Sequence, residues 1–251
     1  MNAFIIGFFH PFTCAGLFLK HPKLILYSIV PMVINLIIYG TIFFFVYDWI
    51  TGMAGNLEVL TKQENIMLEI LRILVQVVSF LFVLLVCYLL FIIFGGIVSA
   101  PFNEFISKYV EERIFGIRNV VEIPFAKEVL LSIREESKKL LFYFSVVIPL
   151  FVVNFIPMIG SVISIGVGTP FSAYYNALDF MDYPMTRNGA VFKQKLGILN
   201  KKLPLSMGFG TIAFIMTFLP VVNVIMTPLL VVAGTSLFYK NNYNTPSVLQ
   251  K

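Results

Sequence analysis

Four residues ahead of the first long apolar run, Lys20, His21, Pro22 and Lys23, have the types and spacing to hold a small anion. A proline at the first turn of a helix costs nothing there, and the first-turn N–H groups of a helix attract anions. Here those groups belong to Lys23 and Leu24, with Lys20, His21 and Lys23 adding charge. The same residues also read as ordinary interfacial cations. Asn35, Asn154 and Asn223 are the other unusual positions, each an amide inside an apolar run. Amides are costly in hydrocarbon, so they line a polar pathway or tie helices together. Asn154 and Asn223 each stand three residues from a proline, Pro157 and Pro220. No HExxH, CxxC, GxSxG or Walker-type sequence occurs, and His10 and His21 have no carboxylate arranged beside them. The chain is read as a non-enzyme, with no cofactor and no metal site.

The elements that carry these residues belong to a membrane protein. Apolar residues make up 59% of the 251 positions, against about 45–50% in ordinary soluble domains. Mean hydropathy is +0.90, and several apolar runs reach the length of a bilayer span. The organisation expected is one membrane-embedded domain over 1–240, with a disordered tail over 241–251. Cys14 and Cys87 are not expected to form a disulfide, and the N-terminus lacks the basic region and cleavage site of a signal peptide. The net charge of +5 is read as topological and not as a nucleic-acid footprint.

Residues 1–12, rich in Phe, are expected to lie along the interface, followed by a short polar approach over 13–23. Leu24 to Tyr47 reads as a first span carrying Pro31, and Ile70 to Val98 as a second, with a polar loop from Ile50 to Glu69 between them. Ser99, as N-cap, and Pro101 read as the start of a separate amphipathic helix ending at Gly116. Its apolar face is Phe102, Phe105, Ile106, Tyr109, Val110 and Ile114.

Residues 140–177 and 207–239 are two apolar stretches, each broken at an uncharged turn, Pro157 to Gly160 and Pro220. Each arm of about 14 residues reaches about 21 Å as a helix, short of a hydrocarbon core of about 30 Å. They read as hairpins that enter and leave on one side, or as slightly short spanning pairs. In the re-entrant reading, Asn154 and Asn223 supply hydrogen bonds at the tips. Gly166, Gly168, Gly208, Gly210 and Gly234 are read as close-packing positions. The segment Asp48–Arg72 carries a net −2 against +5 for the whole chain, leaving +7 on the other side. By the positive-inside rule both termini are expected in the cytoplasm.

The stretch ALDFMDYPMTRNGAVF (Ala177–Phe192) closely resembles the signature of the CysZ-like family, also called the etoposide-induced protein family. VPMVIN at Val30, SAPFNEFISKYVE at Ser99, FIPMIG at Phe155 and the C-terminal GFG…LPxxN…VAGTSL agree in order. The resemblance implies an all-α integral membrane protein with two long transmembrane helices plus two hemi-penetrating helical hairpins. It also implies a bacterial inner-membrane location, sulfate uptake for cysteine synthesis and a homo-oligomer in the lipid bilayer. The family's RPGLRR pattern reads His21-Pro22-Lys23-Leu24-Ile25-Leu26 here, with Ile25 and Leu26 in place of two arginines. A small-anion permease, most readily for sulfate, is therefore expected, and a non-transporting membrane scaffold is the competing reading. Asp182, Tyr183, Pro184, Arg187 and Gly189 are read as structural: Pro184 and Gly189 fix a turn, and an Asp182–Arg187 interaction or a shared backbone contact locks the hairpins together.

Overall fold

A computed structural model describes residues 2–60, 66–117, 125–157 and 159–243. Among them every regular element is helical, as the sequence pattern requires of an all-α membrane protein. Among the described residues, four helices are long and apolar enough to cross a bilayer, over Ala3–Lys20, Pro22–Trp49, Glu69–Cys87 and Val222–Lys240.

The first helix, α1 (Ala3–Lys20), is capped by Asn2, whose side chain accepts from the Phe4 N–H at 3.3 Å. It runs through most of the segment expected as a polar approach and ends at Lys20. Gly7, His10, Pro11 and Cys14 recur at helical spacing and are buried, so the helix continues because that stripe packs. Helix α2 (Pro22–Leu60) opens on Pro22 and continues past Trp49 into the expected loop. Residues 61–65 of that loop lie outside the described residues.

Helix α3 (Ile66–Arg113) absorbs both the second span and the amphipathic helix expected after it. Ser99 is thus no N-cap, and Pro101 sits inside a helix 48 residues long. The end at Gly116 is as expected. Its φ of +68° suits glycine, and Phe115 N–H donates to the Val110 carbonyl and Ile117 N–H to that of Glu111.

Helices α4 (Phe125–Val153) and α5 (Gly160–Arg187) fold back on each other, and the Ser164 hydroxyl donates to the Leu150 carbonyl at 3.0 Å. The turn is closed by Gly160 N–H donating to the Ile156 carbonyl at 2.9 Å. A short α6 (Phe192–Lys201) leads into α7 (Leu203–Thr217) and α8 (Pro220–Lys240). The expected polar connector is thus largely helix: α5 extends through Pro184 to Arg187. Of the expected tail, Asn241–Tyr243 form a turn that buries Tyr243, whose hydroxyl lies 3.0 Å from that of Ser206. Burial pushes the Tyr243 phenol up from its ordinary value, and the bond to Ser206 acts against that shift.

The chain divides into two compact units, Pro31–Ser99 and the combination of Met1–Val30 with Ala100–Lys251. In the larger unit, α7 packs against α1 and α5, and α8 packs against α5. Small residues bring these backbones together. A Cβ added to Gly208 would lie 2.0 Å from the Phe4 carbonyl oxygen, and one on Gly234 would lie 2.3 Å from that of Phe180. Gly210 approaches Ala173 in the same way, and Gly7, which the sequence reading passed over, approaches Leu205. Gly166 and Gly168 do not act so: the first has open space, the second only ordinary contact with Leu150. In the smaller unit Leu36, Phe44 and Phe45 face outward, 65–70% exposed, as lipid requires. Asn35 faces inward and donates from Nδ2 to the Ser99 hydroxyl at 3.0 Å.

Candidate functional site

The last two turns of α5 gather most of the buried charge of the larger unit. Asp182, Tyr183, Pro184 and Met185 are buried there in succession. Pro184 continues the helix rather than turning it. Its carbonyl accepts from both the N–H and the Nδ2 of Asn188, and Gly189, at φ +76°, then breaks the helix. This cap fixes the end of α5 relative to α6, which begins three residues later.

Arg187 and Asp182 are not partners. Five residues apart on a helix, their side chains are about 140° apart around its axis. Arg187 turns to α3, where its Nε donates to Glu111 Oε2 at 2.6 Å, one Nη to Glu104 and the other to the Ser107 hydroxyl at 2.7 Å. The Ser107 hydroxyl also lies 2.7 Å from that of Thr235 on α8. Burial disfavours the guanidinium, but the carboxylates of Glu104 and Glu111 outweigh it and raise its pKa above the ordinary value. Arg187 thus ties α3 to α5, and through Ser107 to α8.

Asp182 turns the other way. Its Oδ1 lies 2.6 Å from Lys195 Nζ on α6, and its Oδ2 lies 3.8 Å from Lys139 Nζ on α4. Lys139 also meets Asp179 at 2.5 Å and sits over the Tyr183 ring, 5.2 Å from its centroid. The Tyr183 hydroxyl accepts from Asn103 Nδ2 at 3.1 Å, joining this cluster to α3 beside Glu104. Each buried charge has an opposite charge at hydrogen-bond distance, the condition under which buried charge is tolerated.

Sequence reasoning found Asp182, Tyr183 and Arg187 but missed their partners. Glu104, Ser107 and Glu111 recur at i, i+3 and i+7, which puts them on one face of α3. That face is buried together with Ile106 and Val110, whereas Phe102 and Phe105 are only half-buried. Lys139 and Lys195 had no distinguishing signal among neighbouring lysines.

The anion candidates at the start of α2 are only partly brought together. Lys20 and Lys23 are exposed. His21 Nδ1 lies 3.5 Å from the Tyr109 hydroxyl, with the rings edge to face. Leu24 is withdrawn: its side chain is fully buried, and its N–H donates to the His21 carbonyl at 2.9 Å. The tight turn between α1 and α2 thus uses up one of the N–H groups counted as available. Ile25 and Leu26 point outward, 42% and 61% exposed.

Among the described residues, neither tip amide is seen bonding the backbone of its turn through its side chain. The Asn223 side chain accepts from Thr227 one turn further along α8, at 2.8 Å. Asn154 is exposed at the end of α4, and its N–H donates to the Leu150 carbonyl. Met158 lies outside the described residues.

The family model described as Sulfate transporter CysZ/Etoposide-induced protein 2.4 matches residues 10–228. A Pseudomonas fluorescens protein named sulfate transporter CysZ is 28% identical over 224 residues, covering 87% of this chain and 86% of its own length. A Pectobacterium atrosepticum protein of the same name is 25% identical, covering 96% and 88%. One from Salmonella paratyphi A is 27% identical, covering 84% and 83%.

Proposed function

The chain belongs to the Sulfate transporter CysZ/Etoposide-induced protein 2.4 family, and from that premise we propose that it is a permease carrying sulfate across a bacterial inner membrane. One observation carries the reading. The likeness to proteins named sulfate transporters covers 84–96% of this chain and 83–88% of theirs. A scaffold that merely shapes the bilayer is not favoured, because these relatives are named sulfate transporters. The imported sulfate would feed cysteine synthesis, and the protein would work as a homo-oligomer in lipid. Purified protein in liposomes should admit labelled sulfate faster than empty liposomes. Equal rates would refute the reading.

The two helix–turn–helix pairs are read as re-entrant. Phe155 (73% exposed), Ile159 (60%) and Phe218 (67%) project at their tips, where headgroup water would be unfavourable. Helix α7, of 15 residues, spans about 22 Å against a core of about 30 Å, although its partner α8, of 21 residues, is long enough to cross. By the positive-inside rule both termini are taken as cytoplasmic, with Asn56 and Asn200 on opposite sides of the membrane. Cysteines placed singly at these two positions, with Cys14 and Cys87 replaced by Ala, are expected to react with impermeant reagent from opposite faces. Labelling of both from outside would refute the assignment.

Sulfate is proposed to enter by Lys20, His21 and Lys23, with the Lys23 backbone N–H in place of the engaged Leu24 N–H. Because both lysines are exposed, Lys20→Ala with Lys23→Ala is expected to cost at most about 1 kcal/mol of stability while abolishing most sulfate uptake. Uptake and melting temperature, measured on one preparation, check this.

A further inference from the structure

Asp182 sits as a ligand sits. Its two carboxylate oxygens lie between two ammonium groups, 2.6 Å from Lys195 and 3.8 Å from Lys139, and Oδ2 also accepts from the Thr186 hydroxyl at 3.4 Å. Lys195 donates to that hydroxyl oxygen at 2.8 Å. The side chains of Lys139 and Lys195 are only 2% and 1% exposed, so both cations are held out of water. Lys139 already has Asp179 at 2.5 Å, so a second carboxylate is not needed to neutralise it. Asp179 is 25% exposed, which leaves this side of the cluster in reach of water. Two ammonium groups from different helices and a hydroxyl, converging on two oxygens of one anion, also suit a tetrahedral oxyanion.

We propose that Lys139, Lys195 and Thr186 form an oxyanion-binding site inside the chain, and that Asp182 is its resident stand-in, holding the place that an anion such as sulfate can take. This rests on the reading of the protein as an oxyanion permease, and it adds a second station to the exposed lysines at the start of α2. Entry of the ion requires the Asp182 carboxylate to swing out, so that anions compete with the protein's own side chain. With Asp182 in place, binding is weak, as release on the far side of a transport step requires. A purely structural cluster would have no such competition.

The Asp182→Asn substitution keeps the shape and removes the competing charge. Melting temperature and sulfate titration are measured on purified detergent-solubilised protein, so no transport is needed. The expected result is a lower melting temperature in chloride, recovered in sulfate at matched ionic strength, with sulfate bound about tenfold more tightly than by the parent. Asp182→Asn combined with Lys195→Gln is the control: it removes one cation with the carboxylate and should fold without responding to sulfate. Equal effects of chloride and sulfate would mean simple screening and overturn the proposal. So would an equal sulfate response in the control, or an Asp182→Asn protein that does not fold in sulfate although the control folds. Absence of sulfate flux in the parent, with Asp182→Asn still recovered by sulfate, would count against the permease reading and leave this site standing.

Discussion

An Arg187→Ala protein is expected to lose the assembly of α3 with α5 and to melt about 6–20 °C below the parent. The figure follows from the partners left behind. Glu104 and Glu111 are both buried and both pair with the one guanidinium, which also satisfies Ser107. Removing one side of a buried pair costs about 3–5 kcal/mol, because the remaining charge has lost its counter-charge and has no water. For a chain of this length each kcal/mol is worth about 2–4 °C. Arg187→Lys should recover little, since one ammonium cannot reproduce a fork that reaches two carboxylates and a hydroxyl. Adding Glu104→Gln and Glu111→Gln to Arg187→Ala should restore part of the loss, because the stranded charges are gone. A parent-like melting curve for Arg187→Ala alone would show that the network does not hold the unit together.

Gly210→Val is the second substitution expected to be severe. A Cβ there would stand 1.8 Å from the Ala173 carbonyl oxygen and 3.0 Å from the Ala177 Cβ. Overpacking costs about 1–3 kcal/mol where side chains can shift, and here the obstacle is the backbone of α5. Separation of α5 from α7 at a cost of about 3 kcal/mol or more is expected, seen as loss of a monodisperse peak and of thermal stability. Gly166→Ala supplies the contrast. Nothing lies within 4 Å of its Cβ, so the helix should gain up to about 1 kcal/mol. Equal behaviour of the two variants would remove close backbone packing as the explanation.

These contrasts show what the sequence could and could not convey. The helices, the turns at Pro157 and Pro220, and the close-packing roles of Gly208, Gly210 and Gly234 follow from local patterns, and the structure agrees with them. The continuity of α3 through Pro101 was not legible. Ser-Ala-Pro carries the same residues whether a helix begins there or passes through, and only packing on both sides decides. The partner of Arg187 was hidden for a related reason. Asp182 is near in sequence but on the wrong side of the helix, whereas Glu104 and Glu111 are 83 and 76 residues away. The buried lysines and the withdrawn Leu24 N–H depend on contacts that no spacing rule contains.

The distance between Arg187 and its carboxylates also sets an order of events during biosynthesis. Glu111 leaves the ribosome 76 residues before Arg187, a delay of about 4–15 s at the usual pace of synthesis. Throughout that interval the end of α3 carries Glu104 and Glu111 without the guanidinium they share in the folded unit, and burying it there would be costly. It must wait in water at the membrane surface until the α4–α5 pair has been made and has brought Arg187 to it. The larger unit is therefore closed by its later half, and a nascent chain stalled before Arg187 would present that acidic helix end to quality-control proteases.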